Sequence, residues 1–213
     1  MSDRFPGYDV LSKHDGMSWN DATRRAIDAR LAIRDEPVFF AHVEWLTLRA
    51  VCDRILPQPQ MRDKVPLAAM IDRRMLKHGD TGTKYPPMPY DGPCWKQGLQ
   101  ALEAEAQGAH GMSFHKLSPK EADALLTRCQ NGELKDKAWG EIPPKMFFDQ
   151  RILSDIPAAY YAHPTAWNEI GFGGPASPRG YVRMQADMHD PWEATEAKPG
   201  QYEKALKRNR NVR

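Results

Sequence analysis

The sequence predicts an all-α protein of about six helices. Three observations lead to this expectation. Leu48, Val51, Cys52 and Ile55 follow the i, i+3, i+4, i+7 spacing of one buried helix face. Start and stop signals bracket such windows. The clearest is Ser118-Pro119-Lys120-Glu121, a capping box with proline at the first helical position. No window shows the convincing period-two alternation of a half-buried strand.

In chain order, residues 1–17 are irregular, with Pro6, Gly7 and Gly16 as breakers. Ser18 and Asp21 resemble a capping box, opening a helix that runs to about Arg34. Its apolar positions are few (Ile27, Leu31, Ile33), so it is expected on the surface. The helix around Leu48 extends back to Trp45 and stops at Pro57 and Pro59. Pro66 suits the first turn of a third helix lined by Leu67, Met70, Ile71 and Met75, with Gly79 at its end. After an irregular loop over residues 80–93, Trp95, Leu99, Leu102 and Ala106 line a fourth helix closed by Gly108 and Gly111. Leu125, Leu126 and Cys129 line the helix that opens at Ser118 and ends at Asn131-Gly132. A further helix begins over Pro143–Ser154, with Phe147, Phe148, Ile152 and Leu153 apolar. Pro157 breaks or kinks it.

From Pro157 to Pro175 the chain holds three prolines, three glycines and the aromatics Tyr160, Tyr161, Trp167 and Phe172. That composition suggests an ordered, aromatic-rich loop. Beyond it, residues 176–213 show no helical or strand period, apart from a short extended reading of Tyr181–Met184, and form an extended arm. The expected organisation is an N-terminal segment, 1–36, a helical domain, 37–175, and the arm, 176–213. The arm is expected to be mobile alone and to hold a partner. Trp167, Phe172, Tyr181 and Trp192 are the candidate interface residues, because aromatics anchor buried contacts.

Mean hydropathy of −0.68 and the absence of any long apolar run argue against a membrane span. Net charge is +2, yet Lys198–Arg213 holds six Lys/Arg and one Glu. Such a tail suits an acidic partner or a nucleic acid. Cys52, Cys94 and Cys129 lack a C-x-x-C pair, which leaves a Cys94–Cys129 bridge open. Gly171-Phe172-Gly173-Gly174 does not follow a strand, so it is not a dinucleotide fingerprint. His110 and His115 are five apart across Gly111, which is not a helical metal-ligand pair. His163 with Asp155 or Glu169 is the one acid–base combination that a hydrolase reading would use.

The collected residues resemble a known family in their order: Phe39-Phe40, Glu44, Ile55-Leu56-Pro57, Ile71-Asp72, Gly98-Leu99, Phe114 to Leu117, Phe147-Phe148, then Trp167 and Ile170 to Gly174. This order resembles the gluconate 2-dehydrogenase subunit 3 family, over roughly Phe39 to Pro175. The segments Gly180–Arg183 and Asp190–Glu193 look like one branch of it. The resemblance implies a non-catalytic accessory subunit without a cofactor of its own. Its partner would be a large FAD-dependent subunit of the glucose–methanol–choline type, in a heterodimer that oxidises a sugar or alcohol. A cytochrome c would accept the electrons, and the resemblance leans towards a glucoside 3-dehydrogenase. Two features depart from the family. A glycine-rich insert before the Trp is missing, and Thr23-Arg24-Arg25-Ala26-Ile27 leads into a charged helix rather than an apolar export core. A cytoplasmic location is therefore expected, or a periplasmic one if a signal-bearing partner exports the pair.

Overall fold

The computed structural model of the protein describes residues 3–58, 64–82, 84–177, 180, 190 and 192–212. In chain order the helices are α1 (Asp21–Leu31), α2 (His42–Ile55), α3 (Leu67–His78), α4 (Asp91–His110), α5 (Pro119–Asn131), α6 (Pro144–Phe147), α7 (Leu153–Tyr161), α8 (Pro164–Ile170) and α9 (Tyr202–Asn209). A π-helical turn, Phe148–Ile152, joins α6 to α7. No strand occurs among the described residues, so the fold is all-α as expected. The chain divides into two compact units: Ile33–Tyr160, and one made from both ends, Met1–Ala32 with Tyr161–Arg213.

In the unit Ile33–Tyr160, α2 packs on α3, α4 and α5. Trp45, Leu48, Val51 and Cys52 form its buried face, while Ile55 is half-buried. Ile71 and Met75 of α3, Trp95, Leu99 and Leu102 of α4, and Leu125 of α5 complete the core. Phe147 enters it between two indoles, edge-on to Trp95 at 5.3 Å and to Trp139 at 5.7 Å. The Ser118 capping box forms as expected, with Pro119 at the first turn and Gly132 closing α5. Pro66 caps α3 rather than entering it. Leu153, expected among the apolar contacts, is exposed.

Several expectations fail. Asn20, not Ser18, caps α1; its side chain accepts from the Thr23 N–H, and the helix stops at Leu31. Ser18 is buried, so the first solvent-facing cap residue lies two positions on. Pro157 neither ends nor interrupts its helix, because α7 continues to Tyr161. Ile156 and Tyr160 are buried on either side of it. Burying them, at about 1.5–3 kcal/mol each, offsets the roughly 3 kcal/mol that an internal proline costs. The stretch Pro157–Pro175 thus holds the end of α7 and all of α8 and is not a loop throughout. All three cysteines are buried free thiols, so Cys94 and Cys129 are not bridged.

In the unit made from both chain ends, one cluster joins Phe5, Tyr8, Val10, Trp19 and Ile27 to Trp167, Ala194 and Val212. The C-terminal segment, expected to be extended throughout, instead contains α9. Asn209 is 2% exposed. Its amide accepts from Thr195 N–H at 2.7 Å and donates to the carbonyls of Pro6 and Thr195, each at 3.0 Å. Tyr181–Met184 lie outside the described residues.

Candidate partner-binding surface

The motif residues near the end of the helical region build a cradle rather than a free loop. His163 caps α8, its Nδ1 accepting from Thr165 N–H at 3.3 Å. Burial, and then the Arg30 guanidinium, hold its imidazole below the ordinary value. Gly171 ends α8 at φ +67°, in the left-handed region that glycine enters at no steric cost. A Cβ there would lie 2.5 Å from the Phe5 ring. At Gly174, φ +72°, a Cβ would press on Trp19 at 3.0 Å and on Val10 at 3.1 Å. The intervening carbonyls accept from the N-terminal segment: Phe172 O from Tyr8 Oη, Gly173 O from Lys13 Nζ, and Pro175 O from Trp19 Nε1. The glycine cluster therefore receives the chain's own residues 5–19.

This arrangement places the candidate interface residues differently from one another. Trp167 is 4% exposed and lies in the core cluster. Its Nε1 donates to Tyr161 O at 2.6 Å, and Arg30 lies 6.0 Å over its ring. Its ring is thus a core element of this unit. Phe172 packs edge-on against it at 5.7 Å and stays 38% exposed, beside the exposed Ile170. Trp192 is partly buried against the same cluster. Tyr181 lies outside the described residues.

The carboxylates most suggestive of catalysis have structural partners. Asp155 is 3% exposed. It accepts from Trp95 Nε1 at 2.7 Å and from Arg74 Nη1 at 2.8 Å, with Arg151 Nη1 at 3.5 Å. Arg151, carried inward on the π-helical turn, reaches Asp91 Oδ1 at 2.5 Å and lies 5.8 Å over the Tyr85 ring. Two arginines and an indole thus engage the Asp155 carboxylate. Among the described residues no group of three or more His, Cys, Asp or Glu is placed to hold a metal ion.

The roles of Asp72, Glu44 and Glu103 were not legible in local spacing. Asp72 is fully buried. It accepts from the backbone N–H groups of Val38, Phe39 and Phe40 at 2.7–3.1 Å. Glu44 caps α2 by accepting from Ala41 N–H at 2.9 Å, and its other oxygen accepts from Gln100. Glu103 accepts from Phe114 N–H at 2.9 Å. Burial alone would raise the Glu103 carboxyl, but bonds from Phe114, Ser113, Gln107 and Thr47 bring it below its ordinary value. Paired motifs far apart in sequence, such as Phe39-Phe40 with Ile71-Asp72, were the available signal.

The family model described as gluconate 2-dehydrogenase subunit 3 matches residues 42–174. The chain belongs to that family. The match covers more than half of the sequence, from the start of α2 to the glycine cluster. No curated protein and no solved structure is matched by the chain. The family is that of a small subunit of a dehydrogenase complex, and this chain is a subunit of that type. Both ends that pack onto the cradle, before residue 42 and after residue 174, lie outside the match.

Proposed function

We propose that this chain is the non-catalytic accessory subunit of a flavin-dependent sugar or alcohol dehydrogenase. It binds the large FAD-containing subunit, of the glucose–methanol–choline type, and supports its folding and stability. Family membership carries this reading. Two structural facts agree with it. The Gly171–Gly174 cluster packs against Phe5, Val10 and Trp19, and the buried Asp72 and Asp155 hold backbone and arginine groups. FAD belongs to the partner in this account, and a cytochrome c accepts its electrons. A glucoside 3-dehydrogenase is the substrate class we favour.

The test is expression of the candidate flavoprotein with and without this chain. The reading expects a higher soluble yield, a fuller flavin complement and greater dehydrogenase activity when the two are made together. A flavoprotein equally soluble, equally loaded and equally active alone would overturn the supporting role. Substrate oxidation by the purified small chain alone would overturn the non-catalytic one.

A further inference from the structure

In the unit made from both chain ends, Asp190 is 8% exposed. Its backbone is held in a tight turn: its N–H donates to Glu193 Oε2 and its carbonyl accepts from Glu193 N–H, each at 3.0 Å. Its Oδ2 is shielded from solvent and has no hydrogen-bond partner among the described residues. A buried carboxylate oxygen without a donor is costly, and a donor supplied by a partner would remove that cost. Asp190 lines a cleft of about 580 Å³. Glu193 shares that lining, and α9 contributes Lys204, Lys207 and Arg208 to it. These three positions are spaced i, i+3 and i+4, so they lie on one helix face, and all three are exposed.

We infer that this cleft receives a segment of the catalytic subunit, and that a Lys or Arg of that segment pairs with Asp190 while its acidic residues face α9. The inference rests on the accessory-subunit reading above. Charge decides the occupant. Small-molecule pockets are lined mainly by apolar and aromatic groups, whereas among the described residues Val212 is the apolar side chain lining this one. Mixed charge, a cationic rim and a desolvated acid instead match a protein contact, where rim charges steer association and a buried pair holds the complex.

The experiment uses the full chain and the purified glucose–methanol–choline-type flavoprotein encoded nearest to it in the same genome. Binding kinetics are measured at several salt concentrations. Asp190→Asn should raise Kd at least tenfold, chiefly through dissociation, without lowering the chain's own melting temperature. Lys204→Glu with Lys207→Glu and Arg208→Glu should slow association at least tenfold and flatten its salt dependence. These three side chains are exposed, so this variant tests the cleft even if Asp190→Asn disturbs folding. Parental binding with undiminished binding by the charge-reversed chain would overturn the cleft and leave the accessory reading standing. No binding by the parental chain would overturn both. A melting temperature raised by millimolar gluconate, and no longer raised in Asp190→Asn, would assign the cleft to a small polyol and overturn its assignment to the partner.

Discussion

At Gly98 a single hydrogen sets how closely α4 approaches α6. A Cβ placed there would lie 2.2 Å from Phe147 Cε2, and that ring is wedged between Trp95 and Trp139. Gly98→Ala should therefore destabilise the chain by about 1–3 kcal/mol, the usual cost of overpacking; an unchanged urea midpoint would show that the ring can yield. A second residue ties stability to pH. Burial and Arg30 depress the His163 imidazole below 6.5, and its Nδ1 must stay unprotonated to accept from Thr165 N–H. The folded chain thus binds fewer protons at this site than the unfolded chain. Its contribution is fully present above 6.5, and it is lost as pH falls below that value through the folded pKa. His163→Asn keeps a side-chain acceptor at the cap and removes the titration. The parental urea midpoint should fall more than the variant's between about pH 7 and about pH 5. His14, raised by Asp15 and Asp28, acts in the opposite sense in both proteins and cancels in the comparison. Equal falls would remove His163 from the account. The cysteines give a third check. Burial pushes the Cys94 and Cys129 thiols up to about 12. The native chain should leave a thiol-disulfide reagent unreacted, and all three thiols should react once it is unfolded; prompt reaction of any native thiol would contradict the packing.

Among the elements, those with local signals were legible. Ser118, Pro119, Glu121 and Gly132 set both ends of α5 through their own backbone preferences, and α2 showed its face through Leu48, Val51 and Cys52. What failed depended on distant contacts. In sequence Pro157 reads as a breaker, because the burial of Ile156 and Tyr160 that offsets it is tertiary. In α9, Ala205 and Asn209 are the buried positions, so no apolar stripe announced the helix. At the candidate surface, Phe172 stands among the expected interface residues and is 38% exposed, but the core position of Trp167 and the unpaired Oδ2 of Asp190 were not legible. Both depend on which segment covers them, and no local spacing encodes that. The packing of the C-terminal segment changes an expected outcome. Truncation after Pro175 removes Ala194 and Val212 from the cluster. It also deprives Pro6 O of the Asn209 donor and Ser12 Oγ of the Val212 carbonyl. The melt should lose stability on the order of 3 kcal/mol or more. An unchanged melt would return residues 176–213 to the role of a dispensable arm.

For the molecule as a whole, the motif order from Phe39 to Gly174 points to the family, and the contacts explain why the order matters. Asp72 holds the Phe39-Phe40 backbone, Glu103 holds Phe114, and Gly98 admits Phe147. Each pair joins separate elements, so losing one member leaves the other unsatisfied or displaced. These are the requirements of a scaffold, and in this account its function is to bind a catalytic subunit. The most direct measurement is size-exclusion chromatography with light scattering and flavin absorbance, on the chain alone and mixed with the candidate flavoprotein. The chain alone should elute without flavin absorbance. In the mixture, the two should elute together, at the summed mass of a heterodimer and with flavin absorbance in the shared peak. Flavin absorbance in the isolated chain, or separate elution of the two proteins at micromolar concentration, would contradict that function.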